Sequence, residues 1–350
     1  MSALELLRPA VRGLKAYAAE EPLGDAALDA NENPYAPPAS FAEKAGIILG
    51  RTALNRYPDP SCAALLKAAA AYYGVPAASL LPGNGSDEFI ASLFVAFGGE
   101  GRRVLLPKPT FSMYALCARA AGWEVLEEEL GSAWELTAAF VERAKKDRPQ
   151  MIVLASPNNP TGNRLDDALL DQLLELGSLV VLDEAYAEFA PKSRSAEAAK
   201  RGGLISLRTL SKAFGLAGLR LGFLIAEPAM AAELNKVRLP YNIDALAQAL
   251  GSAALEMAPE FSAALKKIAA DKPRLEAGLK AIPGAEVFAS DANFFLFRHA
   301  QAASLHAFLL GKGLRLRRFS GGRLENCLRV SVGSSAEVDR CLAAFKEWKP

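Results

Sequence analysis

The sequence predicts an α/β protein: a large domain with a mostly parallel central sheet flanked by helices, plus a smaller α+β domain. Three observations carry this expectation. From about residue 60, alanine-rich helical patterns alternate with apolar runs of four to six residues, "RRVLLP", "WEVLEEEL", "QMIVLAS", "LVVLDEA", "LISLRT" and "LGFLIA". Short apolar runs separated by helices are the pattern of buried parallel strands. Two of them, in "MIVLASPNNPTG" and "LVVLDEAY", end in polar residues, where open α/β sheets place their ligands. After about residue 235 the texture changes to long helical segments, followed by the short strands "AEVFAS", "NFFLFR", "LRLRRF" and "CLRVSVG".

Taken in order, residues 1–40 hold one short helical pattern and the stretch "ANENPYAPPAS", where Pro34, Pro37 and Pro38 forbid a regular helix. They read as an N-terminal arm that joins the small domain. Residues 41–240 form the large domain. Residues 241–350 supply linking helix and small domain, with helical segments interrupted at Pro259 and at Pro273. With 350 residues, half of them hydrophobic, the chain has ample material for both cores.

Composition excludes several classes. Net charge is +1 with no basic stripe or charged tail, which argues against a nucleic-acid partner. Cys62, Cys117, Cys327 and Cys341 lie far apart and form no C-x-x-C, so no metal site and no disulfide framework is expected. The two histidines, His299 and His306, stand seven apart and read as surface residues on one face of a helix. No stretch reads as a secretory signal or a membrane span, and a cytoplasmic location is expected.

The chemistry concentrates in a few stretches. "RTLSKAFGLAGLRLGF" sets Lys212 among Leu210, Phe214, Leu216 and Leu219, with Thr209, Ser211 and Arg220 close in sequence. A lysine is a nucleophile only when uncharged, which burial or nearby positive charge favours. Hydroxyls, an arginine and glycines around such a lysine suit a phosphorylated aldehyde, the amine bonding the carbon and the others holding the phosphate. Asp183 ends an apolar run. It either holds the protonated nitrogen of a pyridine ring, with Tyr186 near the ring's oxygen, or caps a helix. In "SPNNPTG", Asn158 either presents a rigid amide to a ligand or serves the turn. "PGNGSDEF" is a glycine turn opening a helix, a place for phosphate on the backbone N–H groups of Gly85, Ser86 and Asp87; the acidic residues also suit the helix dipole with no ligand. Phe111 in "KPTFSMY" either stacks on a flat ring or packs in the core. In "RLRRFSGGRLENCLRVSVG", alternation turns Arg329 to the face opposite Leu328 and Val330, where it wants a carboxylate or phosphate or faces solvent.

As a set, "SPNNPTG", "LDEAY" and "SKAFGLAGLRLG" resemble the fold-type I pyridoxal-phosphate-dependent aminotransferases. The narrower resemblance is to the class II histidinol-phosphate aminotransferase family, through "LDANENPYAPP", "RYPDP", "GNGSDEFI", "PTFSMY" and "NCLRVSVG". The resemblance implies pyridoxal 5'-phosphate as cofactor and a transaminase moving an amino group from L-histidinol phosphate to 2-oxoglutarate in histidine biosynthesis. Relatives acting on aromatic amino acids, or decarboxylating phosphothreonine, are the alternatives. It implies that Lys212 carries the cofactor, that Asp183 pairs with the ring nitrogen, that Tyr186 and Asn158 bond the ring oxygen, and that Phe111 stacks on the ring. Gly85, Ser86, Asp87, Thr209, Ser211 and Arg220 would hold the phosphate. Tyr57 would reach the phosphate of the neighbouring subunit in a homodimer. Tyr17, Asn33, Arg317 and Arg329 would face the substrate's anionic end. The partners implied are small molecules and a second copy, with no membrane and no nucleic acid.

Overall fold

The computed structural model describes residues 2–15 and 25–349. Its strands in chain order are β1 (Ala26–Ala27), β2 (Leu80–Asn84), β3 (Arg103–Lys108), β4 (Glu124–Glu129), β5 (Met151–Ala155), β6 (Leu179–Asp183), β7 (Leu204–Thr209), β8 (Leu221–Ile225), β9 (Glu286–Val287), β10 (Phe294–Arg298), β11 (Leu314–Arg315), β12 (Arg317–Arg318) and β13 (Cys327–Ser331). A seven-stranded sheet has the order β2-β8-β7-β6-β5-β3-β4. Its pairs are parallel except the two made by β8, which is antiparallel to both neighbours. The mostly parallel sheet expected from the sequence is therefore present.

Alternation along the central strands explains why the apolar runs are continuous. Met151, Val153 and Ala155 of β5, Val181 of β6 and Ile205 and Leu207 of β7 enter the core on one face. Ile152, Leu154, Val180, Leu182 and Leu204 enter the core on the other. Both faces are covered, so both registers must be apolar. Each fully buried aliphatic side chain contributes about 1.5–3 kcal/mol relative to exposure. The edges differ. β4 carries glutamates, charge that discourages further pairing. β2 is the other edge and tolerates Pro82, whose missing N–H would break a central ladder.

Around the remaining strands a second core gathers. β12-β13-β10-β9 form an antiparallel four-stranded sheet, and β1 pairs with β11 in parallel. Leu28, Phe295, Phe297, Leu328 and Val330 pack there with Ile268, Leu275 and Leu279 of the helix Ala258–Lys280. That helix corrects one expectation. Pro259 starts it, just after the helix Ala245–Glu256 ends, but Pro273 lies inside it without ending it. The buried residues Ile268, Asp271 and Leu275 hold the turns on either side of Pro273 against the core. One of the two histidines also differs from expectation. His299 precedes its helix and is buried, with Nε2 3.0 Å from the Pro283 carbonyl, Nδ1 accepting the Gln301 N–H at 2.9 Å, and its ring against Trp348. Among the described residues no helix is long and apolar enough to cross a membrane.

Candidate active site

β2, β3, β5, β6 and β7 run the same way, so their C-terminal ends share one edge of the sheet. From that edge emerge Gly85 after β2, Phe111 after β3, Ser156–Gly162 after β5, Asp183 at the end of β6, and Thr209 to Lys212 from β7. Residues up to 127 positions apart in sequence, from Gly85 to Lys212, are thus gathered by strand direction.

Asp183 is buried. Its Oδ2 accepts the Tyr114 hydroxyl at 2.7 Å and its Oδ1 accepts the Ala185 N–H at 3.0 Å. Burial pushes its carboxyl up to about 6, against the lowering effect of those two bonds; Asp87 and Glu184 push the same way as burial. Next along the chain, Glu184 turns to the opposite face and accepts the hydroxyls of Ser193 and Ser195 and the Arg194 N–H. This network stiffens the strand end from below.

The helix Gly85–Ala96 opens with a free first turn: Asn84 at its N-cap makes no side-chain cap. Gly85 has φ +72, and a Cβ there would lie 2.6 Å from Arg220 Nη2. A Cβ on Gly222 would lie 2.6 Å from Gly85 C and from Ser86 N, so only glycine lets β8 approach this turn so closely. Thr209 Oγ1, bonded to Ser211 Oγ at 3.0 Å, stands opposite Gly222 across the β7–β8 ladder. Arg220, in the left-handed region at φ 50, reaches Asp87 at 3.2 Å. Bare N–H groups, two hydroxyls and a guanidinium over glycine backbone fit a phosphate group. The Asp87 carboxylate holds Arg220 in this structure and must yield to an incoming anion.

Lys212 is partly buried and donates to the Ala30 carbonyl at 2.9 Å; its Nζ stands 5.8 Å from the centre of the Tyr186 ring. Tyr186 is buried, and its hydroxyl accepts Asn31 Nδ2 at 3.0 Å. Asn31, with φ 54, is itself held by Ser331 Oγ and by Asn293. Arg329 is buried, donates to Asn159 Oδ1 and to the Asp29 carbonyl, and lies over the Phe294 ring. Arg317 stands directly opposite Arg329 in the β12–β13 register, and Arg315 pairs with Asp29 at 2.9 Å. Residues 29, 30 and 31 therefore touch the arginines, the lysine and the tyrosine in turn.

Other expected residues fall differently. Asn158 is buried with its amide engaged: Nδ2 donates to the Pro109 carbonyl and to Thr161 Oγ1, and Oδ1 accepts the Thr110 hydroxyl. Asn159 is the asparagine that meets Arg329. Asn33 donates to the Ala213 carbonyl and accepts the Tyr35 N–H, which fixes the backbone beside Lys212. Phe111 packs edge-on to Tyr114 at 5.5 Å. Tyr57 is 81% exposed and stacks on Tyr241 at 4.5 Å. Tyr17 lies outside the described residues. Sequence reasoning missed Asp29, Ala30, Asn31, Tyr114 and Asn159. Tyr114 sits one helical turn after Phe111, and Asn31 sits two before Asn33, so spacing within the motifs already quoted carried both.

A lysine just beyond β7 and a buried aspartate ending the adjacent β6 stand beside a turn whose shape fits a phosphate, an arrangement that suits amine transfer, and the chain belongs to the class I and II aminotransferases, whose family model matches residues 26–345. Among its curated relatives is the histidinol-phosphate aminotransferase of Polaromonas naphthalenivorans (strain CJ2), 40% identical over 350 residues, 98% of this chain and 96% of that protein. The fold is shared with the histidinol-phosphate aminotransferase of Sinorhizobium meliloti, solved in complex with pyridoxal-5'-phosphate, at TM-score 0.88 and 24% identity over 99% of this chain and 98% of that one. It is shared too with the L-threonine-O-3-phosphate decarboxylase of Porphyromonas gingivalis, at TM-score 0.80 and 23% identity over 91% and 98%.

Proposed function

We propose that this chain is a pyridoxal 5'-phosphate enzyme that transfers the amino group of L-histidinol phosphate to 2-oxoglutarate, giving imidazole-acetol phosphate and L-glutamate, a step of histidine biosynthesis. The observation that carries the substrate assignment is the 40% identity, over nearly the whole chain, to a histidinol-phosphate aminotransferase. The residues fit the cofactor: the uncapped first turn at Gly85, the close approach at Gly222 and the nearby Arg220 suit its phosphate, and the buried Asp183 suits a ring cation.

When bound, pyridoxal phosphate supplies an aldehyde that condenses with amines and a cationic ring that withdraws electrons. Lys212 is the residue that would hold it at rest. When released, Lys212 Nζ takes the proton from the amine-bearing carbon of the substrate and later returns it. Asp183, when ionised, would hold the proton on the ring nitrogen. Tyr186 addresses the ring oxygen. Asn159 is the better second candidate for that role, because the Asn158 amide is committed to Pro109, Thr161 and Thr110. The N–H groups of Gly85, Ser86 and Asp87, the hydroxyls of Thr209 and Ser211, and Arg220 hold the phosphate. Arg329, with Arg317 opposite, grips the anionic end of either substrate, phosphate in the donor and carboxylate in 2-oxoglutarate. The working unit is a cytoplasmic homodimer in which the exposed Tyr57 reaches the neighbouring site.

The test is a transamination assay with 2-oxoglutarate as acceptor, comparing histidinol phosphate, phenylalanine and phosphothreonine. Histidinol phosphate should give the highest kcat/KM. Phenylalanine turned over as fast, or carbon dioxide released from phosphothreonine, overturns the substrate assignment. Lys212→Ala should abolish turnover and the visible absorption of the holoenzyme; a variant cycling at the wild-type rate removes Lys212 from the site.

A further inference from the structure

We propose that Tyr114 is a positioning residue for Asp183: its hydroxyl donates to Oδ2 and holds that carboxylate ionised and aimed where the cofactor's ring nitrogen would meet it. This rests on the role of Asp183 argued above and adds a residue which that role depends on.

Tyr114 is 1% exposed and lies in the helix Ser112–Ala121, one turn beyond Phe111. Its ring packs in the core beneath the sheet edge, and a phenylalanine would pack equally well there. The hydroxyl therefore needs a reason beyond packing, because a buried phenol must find an acceptor. The acceptor is Asp183 Oδ2 at 2.7 Å, while the Ala185 N–H takes Oδ1 at 3.0 Å. Two donors from different elements, one on each oxygen, fix the plane of the carboxyl group.

The electrostatics require such a donor. Burial opposes charge on Asp183, and Asp87 from the helix Gly85–Ala96 and Glu184 next in the chain oppose it further. Lys212 donates to the Ala30 carbonyl, and the Tyr186 hydroxyl accepts from Asn31. The Tyr114 hydroxyl first, and then the Ala185 N–H, favour the ionised form. Tyr114 cannot reverse its role: burial first, then the charge on Asp183, pushes its own ionisation well above the ordinary tyrosine range, so it remains a donor throughout the working pH range.

The experiment compares wild type with Tyr114→Phe, which removes one oxygen. The Asp183 carboxyl is titrated in the cofactor-free protein by infrared difference spectroscopy and assigned by subtraction of Asp183→Asn. Pyridoxal phosphate affinity is measured at pH 7 and pH 9. The Asp183 midpoint should rise from about 6 by about one pH unit, as expected for losing one hydrogen bond to a charged group, and affinity at pH 7 should fall by about twofold, because the ionised fraction there drops from about nine-tenths to about one half. The affinity gap should narrow at pH 9, where the carboxyl is ionised in both proteins, and KM for the amino donor should not move. A second variant carries 3-fluorotyrosine at position 114, a stronger donor of the same shape, and should shift the midpoint downward. A folded Tyr114→Phe, or the fluorotyrosine protein, with wild-type midpoint and affinity overturns the proposal. Borohydride reduction of the holoenzyme followed by peptide mapping keeps the two levels apart. A label away from Lys212 overturns the site itself, whereas a label on Lys212 with an unmoved Asp183 overturns only the role of Tyr114.

Discussion

Gly222→Ala is the sharpest test of the anion cradle. Gly222 sits between Gly83 of β2 and Thr209 of β7, pinned on both sides by backbone ladders. A methyl group there meets Gly85 C and Ser86 N at 2.6 Å and the Arg208 carbonyl oxygen at 2.9 Å. All three are backbone atoms, so no side chain can swing aside. Relief to an ordinary contact moves the first turn of the helix Gly85–Ala96 outward by roughly 0.5–1 Å. Overpacking of this kind costs about 1–3 kcal/mol. The displaced N–H groups also lose aim at the phosphate. The assay is thermal unfolding with and without pyridoxal phosphate. A ligand at about 100 times its dissociation constant adds about 2.7 kcal/mol to stability. A complex weakened tenfold gives up about 1.4 kcal/mol of that increment. Gly222→Ala should therefore melt lower without cofactor and gain less from it. Gly218→Ala, where a Cβ meets nothing within 4 Å, serves as the control and should match wild type. A Gly222→Ala protein with the full wild-type cofactor increment refutes the cradle.

Two further substitutions test the charges of the site. Asp183 has a folded value of about 6 against 3.8 for the free group, so the fold disfavours its charge. Cofactor-free stability should fall as pH rises from about 4 to 6, by at most about 3 kcal/mol, and stay reduced above that. Asp183→Asn should lack this slope and melt above wild type at pH 7.5 without cofactor, yet lose turnover; an undiminished slope, read from melting against pH, argues that another group is responsible. Arg329→Lys replaces a fork bonded to Asn159 and Asp29 with a point charge. It should lower kcat/KM for histidinol phosphate and for 2-oxoglutarate alike, by about 10–100-fold, mainly through KM; an effect on one substrate alone rejects a shared anion grip.

Much of this molecule was legible from its sequence because local pattern and global fold agree. The six runs between residues 103 and 225 became β3 to β8, the inner ones because both faces of a covered sheet must be apolar and β4 as a glutamate-bearing edge. Arg329 turned to the face opposite Leu328 and Val330, as alternation required, and is buried there against Asn159, an outcome alternation alone left open, while Leu328 and Val330 joined the core. What escaped depends on contacts remote in sequence. β2 was hidden because "LLPGN" contains a proline and a glycine, permitted only because it is an edge strand. His299 read as a surface residue because nothing local announces that Trp348 and Pro283 close over it. Of two adjacent asparagines in one turn, composition cannot tell which amide the turn consumes; Asn158 is consumed and Asn159 faces the arginine. The role of Ala30 lies in its carbonyl, a group every residue has.

The strap at residues 29–31 has a consequence for how the enzyme comes into being. Asn31, which orients Tyr186, is itself anchored to Ser331, 300 positions later. At synthesis rates of about 5–20 residues per second, that anchor leaves the ribosome roughly 15–60 s after the asparagine it secures. The large sheet can assemble meanwhile, but the nascent chain passes through a stage in which Lys212 is in place before residues 29–31 can be fastened beside it. Birth order thus makes the last strand of the small sheet the last piece to reach the pocket.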